Sequence, residues 1–284
     1  MPFVPLPGAL RERALAKLLP QNGVLAALPE DVQARLLPHL ALVDLPAGQQ
    51  LGQPSGNFAR AYFPVAGVVS LIQGTAGGER VSAMVGSEGV VGLPKFMSDP
   101  SVIRVAVQSA GYGLALGREQ LLEEWARGGT FMRLLMRYNR ALAAQKVVLN
   151  ACRGLHSLDQ QLGTLLLMSL DRLGGQEVVL PQDSAAQLLG VPAQELGAAV
   201  DRLCQCGAAS WRRPGVFAAQ DGAALRAVAC GCERRVASEY QRLLADGPPP
   251  SAPSSAGGAA ADASRRVARD AMVARGGSDR PHGG

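Results

Sequence analysis

No run of about 18 apolar residues occurs in the chain, so a membrane-spanning helix is not expected. The opening stretch, MPFVPLPGALRERALAKLLPQN, lacks the basic–apolar–small order of a secretion signal, and a cytoplasmic protein is expected. Aromatics are scarce at 4%, yet 48% hydrophobic and 18% charged residues describe a globular chain. Its 284 residues suffice for two domains with cores of their own. Five cysteines, an odd number, suit a reducing compartment better than a disulfide framework. Catalytic arrangements are also missing: there is no Ser/His/Asp set and no paired carboxylates in a glycine-framed pocket. The glycine-rich GTAGGERV (74–81) lacks the Gly-Lys-Ser/Thr ending of a phosphate loop. An enzyme is not expected.

Acidic residues are absent from 127–156, where six basic ones stand, and this stretch with residues 247–284 accounts for the whole excess behind the net charge of +5. Residues 157–246 hold eight basic and ten acidic side chains, so no broad cationic surface is expected there.

Leu28, Val32, Leu36 and Leu40 repeat every fourth residue over 24–40 and read as short helix around Pro29 and Pro38. From Asp44 to about Leu116 short apolar or β-branched runs alternate with glycine turns. AYFPVAGVVSLIQ (61–73), GSEGVVGLP (86–94) and VIRVAVQSAGYGLAL (102–116) are examples, and together they indicate an antiparallel roll or barrel. Thr130 can cap a long helix starting near Phe131. Along it Phe131, Leu135, Tyr138, Leu142, Gln145, Leu149 and Cys152 alternate in steps of four and three, a heptad seam narrow enough for a partner helix. Gln145 is its polar, register-setting member. Burial of the same seam in the chain's own core is the plainer alternative.

Ser157 and Gln160 form a capping-box pattern before an apolar helix with Leu158, Leu162, Leu165, Leu166 and Leu170. Next, Pro181 suits a helix start and Gly190 a helix end. Pro192 opens another helix, with Leu196, Val200 and Leu203 inward and Gly207 at its end. Two helices joined by so short a turn read as a helix-turn-helix. Ser210–Trp211 and Val216–Ala219, around Arg212-Arg213-Pro214-Gly215, read as a two-stranded wing. From Gly247 the composition is low-complexity and a disordered tail is expected.

Four stretches now carry a resemblance: YFPVAGVVSLI (62–72), AMVGSEGVVGL (83–93), RYNRAL with ACRGLHSLDQQL (within 137–162) and QLLGV (187–191). In this order around a heptad helix, the chain resembles the Crp/Fnr transcription regulators over residues 23–246. The resemblance implies an α+β chain with a jelly-roll domain of the cyclic-nucleotide-binding type (23–126) after an N-terminal segment (1–22). A dimerisation helix (127–156), a winged helix-turn-helix domain (157–246) and the tail (247–284) follow. Homodimers on duplex DNA are implied, one recognition helix per major-groove half-site.

Two departures limit what the resemblance implies. Members that bind cyclic AMP place Gly-Glu on the ribose and Arg-Ser on the phosphate, where this chain has Val90–Val91 and Ser101–Val102. Valines cannot clamp a buried anion. A cyclic nucleotide held in the usual way is not expected, and the effector is unidentified, with Glu88, Ser101 and Arg104 as its candidate contacts. At the recognition helix, Ala193, Gln194 and Ala198 stand where relatives carry base-reading side chains, and only Gln194 can read a base edge. Gln182, Arg202, Arg212 and Arg213 complete the expected DNA contacts. Glu195 and Asp201 are acidic where DNA would approach. The acidic balance of 157–246 and the alanines at 193 and 198 favour the alternative of a degenerate relative that has lost DNA readout and works through protein contacts.

Cys204-x-Cys206 and Cys230-x-Cys232 invite a zinc reading. Zinc pairs usually stand two to four residues apart, however, and Cys-x-Cys on a helix aims its thiols about 200° apart. They read as small buried hydrophobes, with no metal or other cofactor expected. No cysteine precedes Cys152, which excludes the N-terminal iron–sulfur cluster of oxygen-sensing relatives, and His39, after a proline at a helix end, is not expected to hold haem. His156, before the capping Ser157, reads as a hinge hydrogen bond or as a pH- or effector-responsive hinge.

Overall fold

The computed structural model describes residues 8–52, 58–75, 78–94, 102–174 and 177–244. The expected tail and Ser101 lie outside the described residues. Helix α1 (Gly8–Leu18) leads to a short helix α2 (Gly23–Ala26) and to α3 (Glu30–Leu36). The continuous periodicity read over 24–40 is interrupted at Pro29, and Leu40 opens a strand. Asn22, with no solvent exposure, joins this entry to the sheet. Its Oδ1 accepts from the Val24 and Leu25 backbone N–H groups, and its Nδ2 donates to the Pro64 and Gly89 carbonyls at 2.9 and 2.8 Å. An amide so fully used fixes the helix against the sheet at little desolvation cost.

The sheet is antiparallel, with strands β1 (Leu40–Leu45), β2 (Gln50–Leu51), β3 (Arg60–Thr75), β4 (Gly78–Val85) and β5 (Val102–Gly117). Its order is β1-β5-β3-β4, with β2 also on β5. The long β3–β5 ladder shifts register several times between Pro64 and Val69, and those bulges curl it into a roll. At that bend Gly111 is required, because a Cβ there would lie 2.1 Å from the Ala66 carbonyl oxygen. Inside the curl Phe63, Val69, Met84 and Leu114 are fully buried. The antiparallel roll expected from the alternating strands and glycines is present, in agreement with the jelly-roll domain that the resemblance implies.

Helix α4 (Arg118–Ala126) leads to the long helix α5 (Gly129–Leu155). Thr130 does not cap it; its hydroxyl accepts from Arg133 at 3.2 Å. The capping box of Ser157 with Gln160 does form at α6 (Leu158–Arg172). The winged unit follows, with β6 (Val178–Pro181), α7 (Gln182–Leu189), α8 (Ala193–Gln205), β7 (Ser210–Arg213) and β8 (Val216–Ala219). Strand β6 is a third member of the wing sheet, in the order β6-β8-β7, that the two-strand expectation lacked. Helices α9 (Gly222–Val228) and α10 (Cys232–Leu244) complete it, and α10 runs back along α5 so that the Tyr138 and Tyr240 rings lie 6.3 Å apart.

This packing decides the fate of the heptad seam. Phe131, Leu135, Tyr138, Leu142, Gln145 and Cys152 are buried, and Leu149 half-buried, with α10 and β4 packed on α5. The seam assigned to a partner helix is filled by the chain itself. Periodicity reports that a face is covered, not which element covers it. The uncovered face carries Met136, Arg140, Ala143, Val147 and Leu155, and its Met136, Val147 and Leu155 are 53, 68 and 77% exposed.

Candidate nucleic-acid interface and its link to the roll

The helix-turn-helix is built as its residues require. Gly190 takes φ 71°, ψ 38°, the left-handed conformation that ends α7, and its N–H closes on the Ala186 carbonyl. Leu188, Leu189, Leu196, Val200 and Leu203 then bury together beneath the turn. Gln182 is not free to meet DNA: its Nε2 donates to the Ala193 carbonyl at 2.6 Å across the two helices. A Cβ at Gly197 would come within 2.8 Å of that amide, so the glycine makes room for it.

The outer face of α8 presents Gln194, Glu195, Ala198, Asp201, Arg202 and Gln205. Arg202 forms a two-pronged pair with Asp159, 2.7 Å at each contact, which raises its pKa above the ordinary arginine value. Asp201 accepts from Trp211 Nε1 at 2.8 Å, and Trp211 meets Phe217 edge-on at 5.9 Å, bracing the wing against α8. Arg212 is ion-paired with Glu177. Among the described residues the side chains of Gln194 and Arg213 make no hydrogen bond or ion pair with another side chain or backbone group. Arg213 lines an open depression with Gln182, Trp211, Pro214 and Gly215.

The other side of the winged unit is docked on the roll. Arg172, near the end of α6, donates Nε to Glu88 at 2.8 Å and Nη2 to Gln145 Oε1 at 3.2 Å. Gln145 in turn donates to the Met84 carbonyl at 2.8 Å, so one guanidinium links the 86–91 loop, α5 and the winged unit. Tyr138 donates to the Val90 carbonyl at 2.8 Å, and burial pushes its hydroxyl pKa well up. A second link runs from Ser70 to Gln108 to Ser169, 2.8 Å at each step. Arg80 of β4 lies against Gly190, and burial, aided by Arg80, brings the Arg153 guanidinium down to about 10. The residues of this relay escaped sequence reading, apart from Gln145, Tyr138 and Glu88, because their partners are 27 to 84 positions away.

The candidate effector contacts are largely spoken for. Glu88 belongs to the relay, and Arg104 pairs with Glu79 at 2.6 Å. Val90 and Val91 are buried in the core. Where roll, α5 and α6 meet, the cavity is only about 30 Å³, room for one water molecule.

One group could hold a metal. Cys152, His156, Cys230 and Cys232 bring their ligand atoms within 4.8 Å of one another. The reading of the 230–232 pair as inert hydrophobes took it to lie on a helix, whereas Cys230 and Gly231 precede α10. Burial raises the Cys152 and Cys232 thiols. Burial would raise Cys230 as well, but hydrogen bonds from Thr164 and the backbone outweigh it and lower that thiol.

No family model and no curated protein matches the chain. Solved structures do. A protein from Eubacterium rectale, described as a transcriptional regulator of the Crp/Fnr family, is 11% identical. The match covers 75% of this chain and 99% of that one, with a TM-score of 0.56. The c-di-GMP-responsive global regulator CLP of Xanthomonas campestris is 14% identical over 68% and 99%, with a TM-score of 0.50. The CRP-family regulator TTHB099 of Thermus thermophilus is 12% identical over 66% and 96%, also at 0.50. Identities this low establish a shared fold and nothing finer. No helix among the described residues is long and apolar enough to cross a membrane.

Proposed function

We infer that this chain, which carries the fold of the Crp/Fnr transcription regulators, is itself a DNA-binding regulator that reads duplex DNA through α8 and the wing. The observation that carries this is the exposure of Gln194 on α8 and of Arg213 on the wing, their side chains uncommitted among the described residues, on a helix-turn-helix closed by Gly190. A glutamine amide matches the N7 and N6 edge of adenine, and an arginine at the wing meets phosphate. Arg202 and Arg212 exchange carboxylates for phosphates on binding. Exposed ion pairs are weak enough to allow that exchange.

The roll is the sensing part, and its signal acts through the 86–91 loop, where Glu88 holds Arg172. The effector is a small molecule or condition still to be identified, and cyclic AMP held by the usual clamp is not expected. Two copies pair through the uncovered face of α5, around Met136, Ala143 and Val147, which matches a two-fold DNA site.

A second reading, action through protein contacts, is favoured by the acidic partners already holding Arg202 and Arg212. Affinity for random duplex at about 50 and 200 mM salt separates the two. Phosphate binding must weaken steeply with salt, and a chain that never retains duplex at low salt belongs to the second reading.

A further inference from the structure

We propose that Cys152, His156, Cys230 and Cys232 bind a single tetrahedral divalent metal ion of the zinc class, tying the end of α5 to the loop between α9 and α10. The Cys152 and Cys230 sulfurs lie 3.5 Å apart, and Cys232 Sγ lies 3.8 Å from His156 Nδ1. Zinc–sulfur bonds of about 2.3 Å place tetrahedral sulfurs about 3.8 Å apart, and zinc–nitrogen bonds shorten the mixed edges slightly. All four atoms fall within 4.8 Å of one another, so one ion fits among them with small side-chain adjustments. A four-iron cluster needs its thiolates spread around a cube that this spacing cannot enclose.

The backbone explains how a Cys-x-Cys pair converges. Gly231 adopts φ +83°, a left-handed turn that swings both thiols to one side, and a Cβ there would lie 2.7 Å from the Arg234 guanidinium. From the other side, Cys152 stands in the last turn of α5 and His156 is the extended residue just past it, held there by its backbone N–H on the Cys152 carbonyl at 3.0 Å. Thr164 of α6 supplies a hydroxyl 3.2 Å from Cys230 Sγ, an outer hydrogen bond of the kind that orients thiolate ligands. Cys230, Cys232 and His156 are half-buried, which leaves a path for an ion to enter.

Binding releases three thiol protons to solvent and leaves the divalent ion, three thiolates and a neutral imidazole with a net charge of −1. The site is made of two segments 74 or more residues apart, so the ion clamps the winged unit to α5 irrespective of whether that unit binds DNA. Cys204 and Cys206 take no part and serve as internal controls.

The test is metal analysis and cobalt titration of the full chain, purified under reduction. One zinc ion per chain is expected. Cobalt should give tetrahedral ligand-field bands with thiolate charge transfer, displaced by zinc. Cys204→Ala with Cys206→Ala should leave both readings unchanged. Cys152→Ser with Cys230→Ser should abolish them, and His156→Asn should keep the thiolate bands while weakening zinc at least about tenfold. Chelation should speed amide exchange at 229–233 and 153–157 and leave β3 and β5 unaffected. Five titratable thiols with no zinc or cobalt uptake overturn the proposal without any variant. So do a Cys152–Cys230 disulfide in place of metal and full uptake by the Cys152/Cys230 double variant.

Discussion

On the side of the winged unit that faces the roll, Arg172 is 10% exposed and spends its guanidinium on Glu88, Gln145 and the Met168 carbonyl. On the opposite side Arg202 is 51% exposed and has Asp159 alone. Both are arginine–carboxylate pairs with nearly equal contacts, yet their surroundings give them different work. Removing one partner of so shielded a pair leaves the other short of water, so the Arg172 side holds the unit in place. Water screens the exposed pair, and its partner can be traded for a phosphate. Under the proposed function, one arginine anchors the unit and the other is a reserve of positive charge.

The largest effect expected from breaking this contrast is at the anchor. Arg172→Ala should cost about 2 kcal/mol in urea unfolding, between the values for exposed and buried pairs, because the half-buried Glu88 and the fully buried Gln145 lose their cation. A loss below about 1 kcal/mol would put the relay on the same footing as the surface pairs. Next come the two faces of α5. Leu135→Asp places a charge where exposure is zero and should unfold the chain, whereas Val147→Glu should leave circular dichroism intact and shift sedimentation from dimer to monomer. A folded Leu135→Asp monomer would restore the inward seam as the dimer face.

That contrast also marks what was legible in the sequence. The roll, the long helix, the capping box at Ser157 and the turn at Gly190 were all readable, because period, glycine and cap residues act locally. The partner of the α5 seam was not, since α10 lies about 90 positions further on and its own pattern names no target. The sequence offers Gln182 as a DNA contact; only the fold reveals that it ties α7 to α8. The cysteine group was missed for a related reason. A Cys-x-Cys pair looks divergent until Gly231 turns it, and its other two ligands stand on α5 and just past its end.

Smaller effects are expected on the outward side. Arg212→Ala with Arg213→Ala should weaken all duplexes alike and reduce the log–log salt slope by about two units. A slope unchanged in fluorescence anisotropy would remove the wing from the interface. Smallest of all, Asp159→Ala should leave the unfolding curve in place and modestly raise affinity for duplex by releasing Arg202. A fall in affinity would show that the pair positions Arg202 for DNA instead of withholding it.

The most direct test is selection of bound duplexes from a random pool with the full chain, followed by the same selection with Gln194→Ala. The account predicts an enriched site of two inverted half-sites about one helical turn apart, centre to centre. It also predicts that the variant loses preference at one base pair per half-site, worth about 1–3 kcal/mol. A pool that emerges unenriched, or an enriched site read equally well by the variant, would contradict it.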